Sequence, residues 1–531
     1  MTVEQHTSGH RGGVVCAPHA AACEAGRAVL AEGGNAVEAM IAMAATIAAV
    51  YPHMNHIGGD GFWLIRERNG RVRAIEACGF AGANARLETY RDYETIPARG
   101  PLAALTVPGA LGGWAMANEI AKASGGKLPL DVLLGDAIRH ARDGYVVTRS
   151  QEALTTEKFA ETKDAPGFAE AFLVDGKPPK QGTTLKQAAL AATLEHLTSA
   201  GLDDFYRGDV GREIAADLDR IGSPVTRADL EKYRAVLREP VQVATSHGTI
   251  YNQPPPTQGL ASLIILALFD RLGVREAEGF DYVHGLVEAT KRAFIVRDRY
   301  VTDFDRLPFP PEQFLTADFL DAEAKKIDRA RALPWPHKPK DGDTIWMGAA
   351  DASGLVVSYI QSIYWEFGSG CVLPKTGVLM QNRGASFSLD RKAVNPLEPG
   401  RRPFHTLNPA MAALKDGRVM SYGTMGGEGQ PQTQAMVFTR HVQFRQPLGE
   451  AIAAPRWLLG RTWGSTVTNL RLEARFPDRL VDALRSAGHD VDVLNEEYSD
   501  TMGHAGGVVL HPSGMLEGAH DPRADGGAAG V

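Results

Sequence analysis

Cysteine is scarce in this chain: four residues among 531 (Cys16, Cys23, Cys78 and Cys371), with no C-x-x-C pair. That argues against a disulfide framework or a zinc ribbon and suits a reducing compartment. Positive charge is also in deficit. Lys and Arg number 56 against 63 Asp and Glu, a formal net charge of −7, and no dense basic segment stands out. Nucleic acid and anionic membrane surfaces are therefore not expected partners. Long apolar runs are missing. The longest, AVEAMIAMAATIAAV (36–50), carries Glu38 and is too short to span a bilayer, so it reads as a buried helix. The opening MTVEQHTSGHRGG lacks the basic-then-apolar pattern of a secretory signal, which makes the cytoplasm the expected location. There is no G-x-S-x-G elbow, Walker A loop, H-E-x-x-H or G-x-G-x-x-G. Those absences turn the search away from α/β-hydrolases, P-loop enzymes, zincins and dinucleotide enzymes. No metal or organic cofactor is expected: the sixteen histidines are scattered, and His53 and His56 read as loop residues near a pocket.

What is present is an ordinary globular composition, 44% hydrophobic and 22% charged, in a chain long enough for several cores. GGVVCA (12–17) predicts a strand, and AAACEAGRAVLAEGG (20–34) a helix stopped by its Gly pair. FWLIRERNGRVRAIEA (62–77) predicts a hairpin turning at Asn69-Gly70. Residues 110–330 are mostly helical in pattern, with Thr226 and Asp229 forming a capping-box-like start. Within them, REPVQVATSHGTIYNQPPPTQG (238–259) reads as two strands and a proline-stiffened loop.

The charged, proline-bearing stretch 325–343 is the one clear internal boundary, and it closes on Gly342-Asp343. After it a second hairpin is expected, TIWMGAAD and LVVSYIQSIYW, turning at Ala352-Ser353-Gly354. Thr344 opens its first strand. A threonine suits a strand for its own sake. Behind a flexible lead-in that is cut, it would instead become an N-terminal residue carrying both a hydroxyl nucleophile and its own amine base. GTMGGEGQPQTQ (423–434) has the same two readings: a turn before a helix, or a glycine pair aiming backbone N–H groups at a developing oxyanion.

An ordered series of motifs extends the case across nearly the whole chain. It runs GGNAVEAMIA (33–42), IGGDGF (57–62), TVPGALGGW (106–114), ARDGYVV (141–147), FYRGDVGREIA (205–215) and TRADLEKYRAV (226–236). It continues NQPPPTQGL (252–260), DTIWMGAADASG (343–354), FGSG (367–370), GTMGGEGQ (423–430) and GAHDPRADG (518–526). With these the sequence resembles the γ-glutamyltransferase family, N-terminal-nucleophile hydrolases made as self-cleaving precursors. The resemblance implies an α/β (α+β) fold, a four-layer αββα sandwich. It implies cleavage between Asp343 and Thr344 into a large fragment, 1–343, and a small one, 344–531. These would share one catalytic unit as an obligate heterodimer; whether heterodimers pair further is open. It also implies Thr344 as nucleophile, Ser362 as the hydroxyl beside it, and Gly426 and Gly427 as the oxyanion glycines.

The sequence departs from that family where a glutamyl head would bind. Cys78 stands where an arginine would grip the α-carboxylate, and a thiol cannot replace a bidentate guanidinium. Arg383 and Ser386 take the places of a Gln and an Asp that would read the α-amino group. Tyr364 replaces an asparagine, and His405 and Thr406 replace a serine pair, which should shrink the pocket. The short connection from Phe387 to His405 predicts an open mouth. A small amide bearing a simple carboxylate is the expected substrate, with oxamate the leading candidate, by similarity to the oxamate amidohydrolase branch. The alternatives are a γ-glutamyl hydrolase or transferase such as a glutathione hydrolase, a cephalosporin-acylase-like amidase, and a non-catalytic scaffold member of the family.

Overall fold

The computed structural model describes residues 3–335, 343–460 and 468–531; of Asp343 only the backbone is described. The lead-in KPKDG (338–342) lies outside the described residues.

Two seven-stranded sheets organise the molecule. The first runs, edge to edge, Gly527–Gly530, Gly13–Ala17, Asp343–Asp351, Val356–Tyr364, Asp60–Arg66, Val72–Ala77 and Val236–Arg238. The second runs His6–His10, Leu516–His520, Ala505–Leu510, Val419–Thr424, Ala410–Leu414, Gly248–Asn252 and Val241–Ala244. Neighbouring strands in both are antiparallel. Both expected hairpins are present, at 60–77 and 343–364, and the two strands of 238–259 lie at the edge of the second sheet.

The burial pattern follows from having three interfaces. Helices Ala20–Ala31, Ala36–Val50, Ala110–Ala123 and Leu130–Asp143 cover the outer face of the first sheet, and Gly259–Leu272, Phe280–Tyr300 and Gln430–Phe438 that of the second. Between the sheets lies a third core that includes Val14, Phe62, Leu64, Trp346, Ile360, Met411 and Val508. Strands buried on both faces lose the polar-out alternation of an open sheet, so Val356–Tyr364 is buried at every position. The layers are therefore αββα. Every residue of Ala36–Val50 is buried, and a capping box fixes its start: Asn35 Oδ1 accepts from the Val37 and Glu38 N–H groups, and Glu38 accepts from Asn35 N–H. Thr226 and Asp229 make the capping box expected of them. Among the described residues no helix is long and apolar enough to cross a membrane.

Trp346 keys the two sheets together. Its ring fills the space left by three glycines: a Cβ on Gly423 would meet it at 2.2 Å, on Gly506 at 2.5 Å and on Gly348 at 2.7 Å. Its indole N–H donates to Ser358 Oγ at 2.9 Å. Such close packing holds the strand that carries Thr344 against the strand that leads to Gly426.

Candidate active site

Even-numbered residues of the first sheet face the second. Trp346 and Ala350, Val356 and Ile360, Phe62 and Leu64, and Val72 and Ala74 all belong to the middle core. Period-two alternation carried to the strand ends puts Thr344, Ser362, Asp60 and Cys78 on that same inner face. Ser362 is paired directly with Asp60. The apolar middle layer thus ends in a polar row. A register shift falls at its centre: Asp343 pairs with Tyr364 but Ile345 with Gln361, so Ser362 and Ile363 together oppose Thr344. Bulges re-aim side chains in this way beside active sites.

Thr344 is fully buried, and Gln430 Nε2 donates to its Oγ1 at 3.4 Å. Ser362 Oγ accepts the Tyr364 N–H at 2.8 Å. Gln430 opens the helix Gln430–Phe438, three residues beyond Gly427, so the glycine loop stands beside the nucleophile. Gly426 (φ +112°) and Gly427 (φ +52°) both lie in the left-handed region that favours glycine. Among the described residues no acceptor takes the N–H of either. The loop is tied from behind. Gln258 Nε2 donates to Gly427 O at 2.7 Å and to Thr406 O at 2.8 Å. Gln258 Oε1 accepts from Arg297, whose other end-nitrogen pairs with Glu428 at 2.9 Å.

Arg383 joins this buried cluster through Tyr364 and Thr406. It is 1% exposed, stacks its guanidinium 3.8 Å from the centre of the Tyr364 ring, and reaches Thr406 Oγ1 at 3.4 Å. Its Nε and Nη2 have no hydrogen-bond partner among the described residues. Burial pushes its pKa down to about 10, against the pull of Tyr364, Asp60 and Cys78, so it stays cationic at neutral pH. A buried guanidinium with idle donors is costly unless an anion arrives.

The remaining expected residues sort by what they touch. Burial, then Glu76 and Asp60, push the Cys78 thiol well up, so it remains a neutral thiol. Ser386 Oγ donates to Phe404 O at 3.0 Å, which pins the turn that carries Arg383. His405 Nε2 lies 3.4 Å from Asp60 Oδ2, near enough for an ion pair but outside hydrogen-bond alignment. Burial, Arg383 and Arg402 hold His405 well below the usual imidazole range, so it is neutral and the contact is not an ion pair.

The open mouth is a correction: Thr344, Ser362, Tyr364, Arg383, His405 and Thr406 are each 2% exposed or less. The short connection folds down instead of standing away. Gly400 N–H donates to Ala81 O at 2.7 Å and Ala81 N–H to Arg401 O at 2.8 Å, and Phe387 and Leu397 pack with Leu105 and Tyr90. His53 and His56 lie in the loop between Ala36–Val50 and Asp60–Arg66, as expected, and both are fully buried. His56 Nδ1 accepts the Leu379 N–H at 3.1 Å, and His53 Nε2 lies 3.2 Å from Ser150 Oγ.

Asp60 and Gln430 were not singled out from sequence, although both sit inside quoted motifs. Inner-face parity with Phe62 and Leu64 was the available signal for Asp60. Its Oδ1 accepts from Gly79 N–H (3.0 Å), Gly109 N–H (3.1 Å) and Gln381 (3.0 Å), while Oδ2 has no hydrogen-bond partner among the described residues. Burial pushes its pKa up to about 7 despite those donors and Arg383.

Among the described residues the cluster with metal-ligand spacing is His284, Glu288 and His489. Its atoms already have protein partners. His284 binds His489 at 2.9 Å and Asp328 O at 2.8 Å, and Glu288 binds Lys291 at 2.7 Å and the Leu333 N–H at 3.1 Å.

The two-sheet frame agrees with comparison to known proteins. The gamma-glutamyltranspeptidase family model matches residues 22–531. The chain belongs to the gamma-glutamyltranspeptidase family. Within it, the chain is 52% identical to an oxamate amidohydrolase proenzyme of Klebsiella pneumoniae over 98% of both chains. It is 37% identical, again over 98% of both, to a glutathione hydrolase-like YwrD proenzyme of Bacillus subtilis. The crystal structure of a cephalosporin acylase from Bacillus halodurans superposes with a TM-score of 0.90 at 31% identity, covering 100% of this chain and 98% of that one. The family's N-terminal-nucleophile hydrolase fold is thus the fold described above.

Proposed function

We propose that this family member is a proenzyme that cuts itself between Asp343 and Thr344, and that the freed Thr344 then hydrolyses a small carboxylate-bearing amide, oxamate being the leading candidate. In the first step Thr344 Oγ attacks the Asp343 carbonyl carbon. The peptide C–N bond breaks as the ester forms, and water opens the ester to leave two fragments, 1–343 and 344–531. The new α-amine, with a reference pKa near ~7.7–8.0, is within its own residue's reach of the hydroxyl proton. Thr344 Oγ then attacks the substrate amide carbon while Gly426 and Gly427 N–H groups meet the oxyanion. Ammonia leaves with the proton that the amine took, and water hydrolyses the acyl ester. One oxyanion donor of this kind is typically worth a ~10²–10³-fold effect on kcat.

The observation that carries the substrate reading is Arg383: wholly buried, stacked on the ring of the residue cross-paired with Asp343, with two nitrogens, Nε and Nη2, that have no partner among the described residues. A carboxylate one carbon from the scissile carbonyl is the simplest group that satisfies them. The 52% identity to an oxamate amidohydrolase proenzyme supports the same choice. The four cysteines are unbridged and buried, which supports a reducing cytoplasm as the place of action.

Asp60 favours one second reading. An ionised Asp60 beside Arg383 would complement a zwitterionic γ-glutamyl head, as a glutathione hydrolase would require. Ammonia release from oxamate, measured beside chromophore release from a γ-glutamyl anilide, decides between them: rapid γ-glutamyl turnover with oxamate untouched would overturn the first. Purified protein should run as two bands, the smaller beginning at Thr344 by mass spectrometry. Thr344→Ala should give one uncut chain and no amidase activity; cutting in that variant would remove Thr344 from the mechanism.

A further inference from the structure

Resting on the carboxylate-amide reading, we propose that Asp60 is a specificity-determining residue: it must carry a proton for a substrate carboxylate to occupy Arg383, so substrate binding is coupled to proton uptake.

The geometry sets up a competition for one cation. Asp60 Oδ2 lies 3.4 Å from His405 Nε2 and Arg383 reaches Oγ1 of the next residue, Thr406, at 3.4 Å, so the two belong to one buried cluster, and each feels the other's charge. Asp60 Oδ1 is fully engaged by Gly79, Gly109 and Gln381, which fixes the carboxyl in place. Its Oδ2 is the unpartnered atom, turned toward His405. An ionised Asp60 is a carboxylate whose charge acts on Arg383. Once a carboxylate lies on Arg383, an ionised Asp60 would put two anions around one guanidinium in a site closed to water. Like charges at such range cannot both remain ionised cheaply, and the weaker acid takes the proton. Asp60 is that acid, because burial has already brought it to about 7 while a free α-keto carboxylate is far more acidic. The protonated Oδ2 then faces a neutral neighbour, His405 Nε2 at 3.4 Å.

The neighbouring groups leave Asp60 as the titrating member. On the adjoining strand and its exit, Cys78 stays a neutral thiol, and Glu76 is paired with Arg402 at 2.8 Å and Arg238 at 3.1 Å. The phenols of Tyr206, Tyr233 and Tyr359 are all pushed above their usual range by burial and remain neutral. His405 is neutral. A further titrating group is the Thr344 α-amine of the cut enzyme, on the second strand from Asp60.

Asp60→Asn separates the contributions, because the amide keeps an acceptor for Gly79, Gly109 and Gln381 but cannot ionise. On self-cut wild-type enzyme, the KM for oxamate should rise about tenfold between pH 6 and pH 8, as expected for a required proton on a group titrating near 7. The KM for uncharged oxamide should stay flat over that range. In Asp60→Asn the oxamate KM should also be flat. A wild-type oxamate KM that ignores pH, or an equal rise in Asp60→Asn, would overturn the proposal. Calorimetry with oxalate, in two buffers of different ionisation enthalpy at pH 8, gives a test that needs neither turnover nor the variant. Close to one proton should be taken up per oxalate bound, and no uptake would overturn the proposal. Proton-coupled oxalate binding by an enzyme that leaves oxamate intact would instead retire the oxamate reading and keep Asp60 in its role.

Discussion

At the residue scale, the chamber is defined by groups whose hydrogen-bonding capacity is left over. Among the described residues, Arg383 Nε and Nη2, Asp60 Oδ2 and the Gly426 and Gly427 amides have no hydrogen-bond partner. Buried polar groups are nearly always satisfied, so a cluster of exceptions marks where a ligand completes the network. Removing the arginine charge tests this directly. Arg383→Gln should raise the oxamate KM by about 10- to 100-fold, as loss of a charged hydrogen-bonding partner implies, with a smaller change in kcat. The free oxamide should be nearly unaffected, and steady-state kinetics on both substrates checks the contrast. A fall in kcat alone would place Arg383 at the reacting carbon and not at the carboxylate.

At the element scale, the glycine loop is held by a buried ionic lattice built largely from the motif GAHDPRADG. Asp521 pairs with Arg456 at 2.6 Å and Arg523 at 2.9 Å, and Arg523 pairs with Glu473 at 2.6 Å. Arg456 also donates to Gly503 O at 2.9 Å, next to His504, whose carbonyl accepts the Met425 N–H. The lattice thereby sets the residue that precedes Gly426. Burial works to raise the Asp521 carboxyl, but Arg456 and Arg523 outweigh it and hold it well below the usual carboxylate range. A carboxylate depressed in the folded state lends stability that is complete above its unfolded pKa, near ~3.9, and is lost as pH falls below that value. The thermal midpoint of the wild type should therefore fall steeply below about pH 4. Asp521→Asn should cost about 3–5 kcal/mol at neutral pH, since it leaves a buried guanidinium uncompensated, and should flatten that acid limb. Thermal melts across pH 3–7 check both. An unchanged midpoint at pH 7 would show that the lattice is dispensable.

At the scale of the molecule, the sheet order bears on what a cut at residue 343 would do. In the first sheet, strands from beyond the cut sit at an edge and at two central positions, with strands from before it on both sides. In the second, four consecutive strands from beyond the cut are flanked by early strands on each side. Separating the fragments would break ladder hydrogen bonds and expose all three apolar cores, as in an obligate interface. Native size-exclusion chromatography of cut protein should give one peak containing both fragments, resolving into two only in denaturant. Spontaneous separation in native buffer would contradict the interleaved sheets.

Local patterning in the sequence was enough to determine both hairpins, the Thr226 helix start, the buried Ala/Met helix and the identity of the strand-opening threonine. Each depends on residues a few positions apart, through alternation, capping or turn chemistry. The ordered motifs then placed Gly426, Gly427, Ser362 and Arg383 near that threonine by resemblance. Tertiary structure decided how those pieces meet. Asp60 comes to lie beside His405, Arg383 is sealed from water, and the connection 388–404 closes down where an open mouth was expected. Those outcomes depend on which distant strands pair and on what burial does to charge, and neither quantity is carried by residues neighbouring in sequence.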